Sequence, residues 1–105
     1  MIGCQLTFFT QQDRQHCRQP LAAWLVEEAR RLGINGATLI AGAMGYGHDR
    51  TIRSSRFFEL SEQPVEVTMA VSEDEARRML ARLKEEGINV FYIKAPIEFG
   101  MTGEG

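Results

Sequence analysis

The sequence predicts an α+β fold of the ferredoxin-like type: a βαββαβ chain whose four-stranded, mostly antiparallel sheet carries both helices on one face. Three observations lead there. Apolar runs of period two alternate with apolar stripes of helical spacing, in the order strand, helix, strand, strand, helix, strand. Glycines at positions 33 and 87 stop the two helical stripes. The length, 105 residues, suits one domain, so residues 1–105 are read as a single unit.

Ile2 to Thr10 alternates, with Cys4, Leu6 and Phe8 on one face and Gln5, Thr7 and Phe9 on the other, which is the pattern of a strand. Cys4 is expected to pack in the core as a small apolar side chain. Gln11 to Gln19 contains no apolar residue except Cys17, and Pro20 follows where a first helical turn tolerates it. Leu21, Trp24, Leu25, Ala29 and Leu32 then recur at three- and four-residue steps opposite Glu27, Arg30 and Arg31. Trp24 reads as a core or subunit-contact residue.

Gly36 to Gly47, GATLIAGAMGYG, begins with an apolar strand and holds four glycines. The second strand is expected from Ala37 to about Met44, with Thr38-Leu39-Ile40 composed like a buried strand. Glycine reaches positive φ and lets backbone amides approach a ligand, so the segment can end a strand and cradle a small molecule. His48 to Arg56 follows with Arg50, Arg53 and Arg56 at three-residue spacing. Nearly twenty residues separate the second and third strands, a length that usually carries function. Phe57, Phe58 and Leu60 are costly to leave in solvent, so the second half of this loop is expected to pack down.

Val65, Val67, Met69 and Val71 mark the third strand. Ser72-Glu73-Asp74-Glu75 is a capping box that opens the second helix. Ala76, Met79, Leu80 and Leu83 form its buried stripe, and Arg77, Arg78, Arg82 and Lys84 its solvated side. Val90 to Ala95 reads as the fourth strand, which Pro96 is expected to end, and Ile97 to Gly105 as a glycine-rich tail. Apolar residues on both strand faces, as at Phe8-Phe9 and Phe91-Tyr92, leave too much surface for a monomer and predict self-association.

At 44% hydrophobic and 25% charged the chain holds one core, and its net charge of −2 provides no basic field for nucleic acid or an anionic membrane. No run is long enough for a membrane span and the start lacks a signal-peptide pattern, so the expected location is cytoplasmic. Cys4 and Cys17 fall short of a disulfide framework and are read as reduced thiols.

A resemblance rests on several pieces taken in order. They are Asp13-Arg14 ahead of Pro20-Leu21, then Gly33-Ile34-Asn35-Gly36-Ala37-Thr38, Gly42, Gly45-Tyr46-Gly47, Ile52, Leu60-Ser61 and Pro64-Val65. In these the chain resembles the small PII-like proteins of the domain of unknown function 190 family over almost its whole length. The resemblance implies a PII-like homotrimer with its sheets packed inward, related to signal-transduction sensors that bind small ligands between subunits. One departure stands out. PII signalling proteins carry a glycine- and lysine-containing phosphate loop between the second helix and the last strand, whereas here the turn is Glu85-Glu86-Gly87-Ile88-Asn89, whose carboxylates repel a polyphosphate.

The resulting expectation is a regulatory, ligand-sensing protein. It binds a small anionic ligand, such as an adenine nucleotide, through Gly42, Gly45, Tyr46, Gly47, Arg50, Arg53 and Arg56, and signals through the loop 47–64. Arginine suits such ligands because its fork donates two parallel hydrogen bonds. A plain alternative is a tight glycine turn followed by solvated arginines, some pairing with Asp49 or Glu59. A membrane transporter is suggested as partner by analogy with PII-like relatives. The alternative function is divalent-metal binding by a CutA-like trimer, with His16 and Cys17, or His48 and Asp49, as ligands. Adjacent residues seldom ligate one ion from regular structure and no CxxC or HxxxH spacing accompanies them, so neither a metal site nor a cofactor is assigned. Cys17 beside His16 is the sole nucleophile-and-base pairing, without an orienting carboxylate or oxyanion site in view, and no enzyme is expected.

Overall fold

β1 (Ile2–Gln11) is the centre of the molecule, hydrogen-bonded on both sides. The structure is a computed structural model that describes residues 1–42, 44–46, 52–54 and 63–104. After β1 come a two-residue pair, β2 (Gln15–His16) and β3 (Gln19–Pro20), then helix α1 (Leu21–Arg31) and strand β4 (Thr38–Ala41). β5 (Met44–Tyr46) and β6 (Ile52–Ser54) follow, then β7 (Pro64–Val71), helix α2 (Glu73–Glu85), β8 (Phe91–Glu98) and a 3₁₀ turn at Thr102–Glu104. The main sheet runs β4-β7-β1-β8 and all its pairs are antiparallel. This is the expected βαββαβ sandwich, with extra strands in the connections.

Register explains the layers. Cys4, Leu6 and Phe8 face Val71, Met69 and Val67 across the β1–β7 pair, and both sets are buried under the helices. Leu21, Trp24, Leu25 and Ala29 of α1 and Ala76, Met79 and Leu83 of α2 complete this core. Each large apolar side chain removed from water contributes about 1.5–3 kcal/mol. The opposite face has no helix. Its middle is polar, with Gln5 donating to Thr7 (3.3 Å) and Thr68 (3.2 Å) and the two threonine hydroxyls 3.0 Å apart. At one end of that face Phe9 packs on Phe91, ring centroids 5.7 Å apart, and Phe91, Ile93 and Ile40 are exposed.

Both helices end in the same device. Gly33 (φ 82°) donates to the Arg30 carbonyl and Ile34 to that of Ala29, while Gly87 (φ 68°) donates to Lys84 and Ile88 to Leu83. These are Schellman caps, for which positive φ favours glycine. The Ser72 capping box is formed as read, Glu75 N donating to Ser72 Oγ (3.1 Å) and Ser72 N to Glu75 Oε1 (2.9 Å).

Three local expectations need correction. The second strand stops at Ala41, with Gly42 still bonding Pro64 through its N–H, and β5 pairs instead with β6 in a separate ribbon inside the long connection. Leu39 and Ile40 are about half exposed rather than buried, since β4 is an edge strand neighboured by β7 alone. Pro96 does not end β8: it pairs with Cys4, and an edge strand has an outer side on which a missing N–H costs nothing. Within the apolar-poor stretch Gln11 to Gln19, to which the sequence assigns no element, β2 folds back on β3 through a two-residue turn.

Candidate functional site at the loop end of the sheet

The register places four strand ends together. β1 ends at Gln11 opposite Pro64, β4 ends at Ala41 opposite Val65, and β8 begins at Phe91 opposite Phe9. The glycine-rich segment, the β2–β3 hairpin and the α2–β8 turn therefore leave the same end of the sheet. Short bonds tie them: Gln12 N donates to Gln63 O (3.0 Å), and the Arg14 guanidinium donates to the Asn89 carbonyl. Beside them Asn89, Val90, Phe91 and Tyr92 line a shallow recess.

Gly42 sits at the neck of the long connection. Its N–H donates to Pro64 O (2.7 Å) and its carbonyl accepts from Gln63 Nε2 (3.2 Å). Both backbone groups are thereby used to close the neck, so Gly42 shapes the entrance and offers no amide to a ligand. Gly45 and Tyr46 lie in β5 and Arg53 in β6, with Gly45 directly opposite Arg53 and Tyr46 opposite Ile52. A glycine and one of the three arginines thus meet across the ribbon. Gly47, Arg50 and Arg56 lie outside the described residues, as do His48, Asp49, Glu59, Phe57, Phe58 and Leu60.

The α2–β8 turn cannot act as a phosphate loop through its cap amides, since the N–H groups of Gly87 and Ile88 already bond Lys84 and Leu83. Its Glu86 instead belongs to a chain of ionic hydrogen bonds. His16 Nε2 lies 3.0 Å from Glu86 Oε1, Arg82 reaches Glu86 Oε2 (3.0 Å) and, through Nε, Glu28 Oε1 (2.6 Å). Arg31 closes the chain on Glu28 from the same helix. Trp24 lies beneath, with the His16 ring edge-on at 5.0 Å and the Arg82 guanidinium 5.9 Å from its centroid. The hydrogen bond from His16, then that from Arg82, holds the Glu86 carboxyl below the usual carboxylate range. Glu28 is lowered too, by Arg31 first and by Arg82, against the opposing effect of burial.

Arg82 is therefore not the solvated residue that helical spacing suggests: its side chain is 25% exposed and bridges both helices. The sequence did contain signals for this chain. Glu28 lies four residues after Trp24, on the apolar stripe, and Arg82 and Glu86 form an i,i+4 pair. The objection to His16 and Cys17 facing one point also falls. Cys17 (φ 51°) and Arg18 (φ 65°) both occupy the left-handed region, as the centre of a type I′ hairpin requires, and strand alternation stops at His16. The His16 nitrogen, the Cys17 sulfur and a Glu86 oxygen all lie within 4.8 Å of one another. Cys4 and Cys17 are free thiols, the first buried and the second exposed. Among the described residues no helix is long and apolar enough to cross a membrane.

Residues 3–93 match the model of a family described as "Uncharacterized ACR, COG1993", DUF190. A UPF0166 protein of Aquifex aeolicus (strain VF5) is 34% identical over 80 residues, which cover 75% of this chain and 76% of the relative. Among solved structures, the chain resembles a protein from Thermus thermophilus described as PII-like and signaling. It shares 28% identity and a TM-score of 0.63 with that protein, over 91% of this chain and 85% of the other. It also resembles CPII from Thiomonas intermedia K12, a nitrogen regulatory PII-like protein bound to ADP, AMP and bicarbonate. There the TM-score is 0.68 at 16% identity, over 96% and 91% of the two chains. The second likeness carries the fold alone.

Proposed function

Because the chain belongs to the DUF190 family and has a PII-like fold, we propose that it is a regulatory, ligand-sensing protein rather than an enzyme. Its ligand is a small anion of the adenine-nucleotide class, bound in the clefts between subunits of a homotrimer in the cytoplasm. The observation that carries this reading is the ribbon β5–β6, which forms a two-stranded sheet of its own and sets Gly45 opposite Arg53. Gly45, Tyr46 and Gly47 supply close backbone approach, and Arg50, Arg53 and Arg56 supply forked donors for phosphate or carboxylate oxygens. Gly42 holds the neck. ADP and AMP on CPII support the choice of ligand class, and the exposed apolar end of the open sheet face supports assembly. Ligand binding alters what the loop 47–64 docks against, a membrane transporter being the partner suggested by PII-like relatives.

Calorimetric titration of metal-free protein with ADP and AMP tests this. Saturable binding at one site per subunit is expected. Replacing Arg50 and Arg53 together by Ala should weaken it by at least about tenfold, the worth of one charge-assisted hydrogen bond, with melting unchanged. Absence of saturable binding overturns the nucleotide reading, and unaltered affinity in the double variant moves the anion elsewhere.

A further inference from the structure

We infer that His16, Cys17 and Glu86 form a binding site for a divalent transition-metal ion of the zinc class, independent of the nucleotide reading. The three residues bring an imidazole nitrogen, a thiol sulfur and a carboxylate oxygen within 4.8 Å of one another, with His16 and Glu86 70 residues apart in the chain. That donor set is the borderline-soft mixture that zinc accepts, with a fourth position left open. A tetrahedral zinc site needs ligand atoms roughly 3.3–3.8 Å apart, given bond lengths near 2.0–2.3 Å. The His16–Glu86 separation of 3.0 Å is already close to that range. Rotation of the exposed Cys17 side chain supplies the remaining adjustment.

The surroundings fix two of the ligands. Glu86 presents Oε1 to His16 because Arg82 holds its other oxygen at 3.0 Å, which is how an outer-shell donor orients a carboxylate ligand. The His16 ring is set edge-on against Trp24, itself 7% exposed, so its plane is defined before any ion arrives. Bound metal would displace the direct His16–Glu86 hydrogen bond and replace it with two coordinate bonds. It would thereby pin the β2–β3 hairpin to the C-terminal cap of α2. The cost is the nearby positive charge of Arg82, which tempers affinity.

The test uses the full chain, stripped of metal and kept reduced with a phosphine. Titration with Zn²⁺ should give one ion per chain. Co²⁺ should give the visible bands of a tetrahedral ion together with a thiolate-to-cobalt charge-transfer band. Cys4 is 1% exposed, so that band reports Cys17. Cys17→Ser should remove the band, and both Cys17→Ser and Glu86→Gln should weaken Zn²⁺ by more than about tenfold, the least that loss of an outer-shell partner costs. His48→Ala should leave binding intact. Should Glu86→Gln fail to fold, Cys17→Ser, at an exposed turn position, still decides the matter. Sub-stoichiometric Zn²⁺, a Co²⁺ spectrum without the sulfur band, or a Cys17→Ser variant that retains full affinity overturns the site.

Discussion

Glu28→Gln should destabilise the protein by an amount that vanishes in acid. Glu28 is 6% exposed, and its carboxylate accepts from Arg31 Nε (3.1 Å), from the Arg31 terminal nitrogen and from Arg82 Nε (2.6 Å). A glutamine keeps the shape but turns an N–H₂ toward one of these donors and removes the charge. Losing a charged acceptor at a buried site costs about 1.5–3 kcal/mol. Arg31 is 61% exposed and can turn to water, so most of this falls on the contact with Arg82. At about 4–8 °C per kcal/mol for a domain of this size, the melting temperature should drop by about 6–24 °C near neutral pH. The pH dependence follows from the lowered carboxyl of Glu28, caused first by Arg31. A depressed folded-state pKa contributes stability that is complete above the unfolded value, about 4.3, and is lost as pH falls through the folded value. The gap between wild type and variant should therefore be full at neutral pH and close progressively below about pH 4. Asp74, lowered by Arg77 first and by Arg78, titrates in the same direction, but both proteins carry it and its contribution cancels. Calorimetric melting across that range is the assay. A drop below about 3 °C at neutral pH, or a gap that does not change on acidification, would refute the reasoning.

Gly3→Ala should cost about 1–3 kcal/mol, because a Cβ there would overlap the Val71 carbonyl oxygen and sit 2.7 Å from a ring carbon of Phe99. An unchanged urea midpoint would mean that β7 gives way more easily than a paired strand should. Ile93→Lys puts a charge on the open sheet face opposite Thr7, where Ile93 is 44% exposed. If the sheets pack inward in a trimer, light scattering should show the wild type as trimer and the variant as smaller species at micromolar concentration. A wild-type monomer would remove the intersubunit cleft, and a trimer indifferent to the lysine would move the contact to another face.

The βαββαβ order was legible because each main element carries its own period and stop signal. β1 and β7 alternate cleanly since one face is buried under helices, and Gly33 and Gly87 end helices for a reason visible in one residue type. The family resemblance was legible as well, and residues 3–93 bear it out. What escaped depended on neighbours remote in sequence. Nothing near Arg82 announces Glu28, because the pairing spans 54 positions and forms only when α1 and α2 lie side by side. The hairpin at Cys17 and Arg18 was hidden because neither residue is glycine, the usual mark of two successive left-handed positions. Pro96 misled in the other direction: its cost depends on whether the strand is at an edge, which is a property of the sheet and not of the residue. Of the ligand-binding candidates, the backbone bonds of Gly42 and the register of Gly45 with Arg53 required the fold.

The neck at Gly42, Gln63 and Pro64 has a consequence for how freely this protein can be altered. Because the β4–β7 ladder and the Gly42–Pro64 bond fix the distance between the two ends of the connection, whatever is inserted between them closes a loop of constant span. Closing such a loop grows costlier only with the logarithm of its length, about 0.6 kcal/mol for each doubling. Lengthening segment 43–62 therefore adds only this slowly growing closure cost, because the neck and not the loop sets the spacing of β4 and β7.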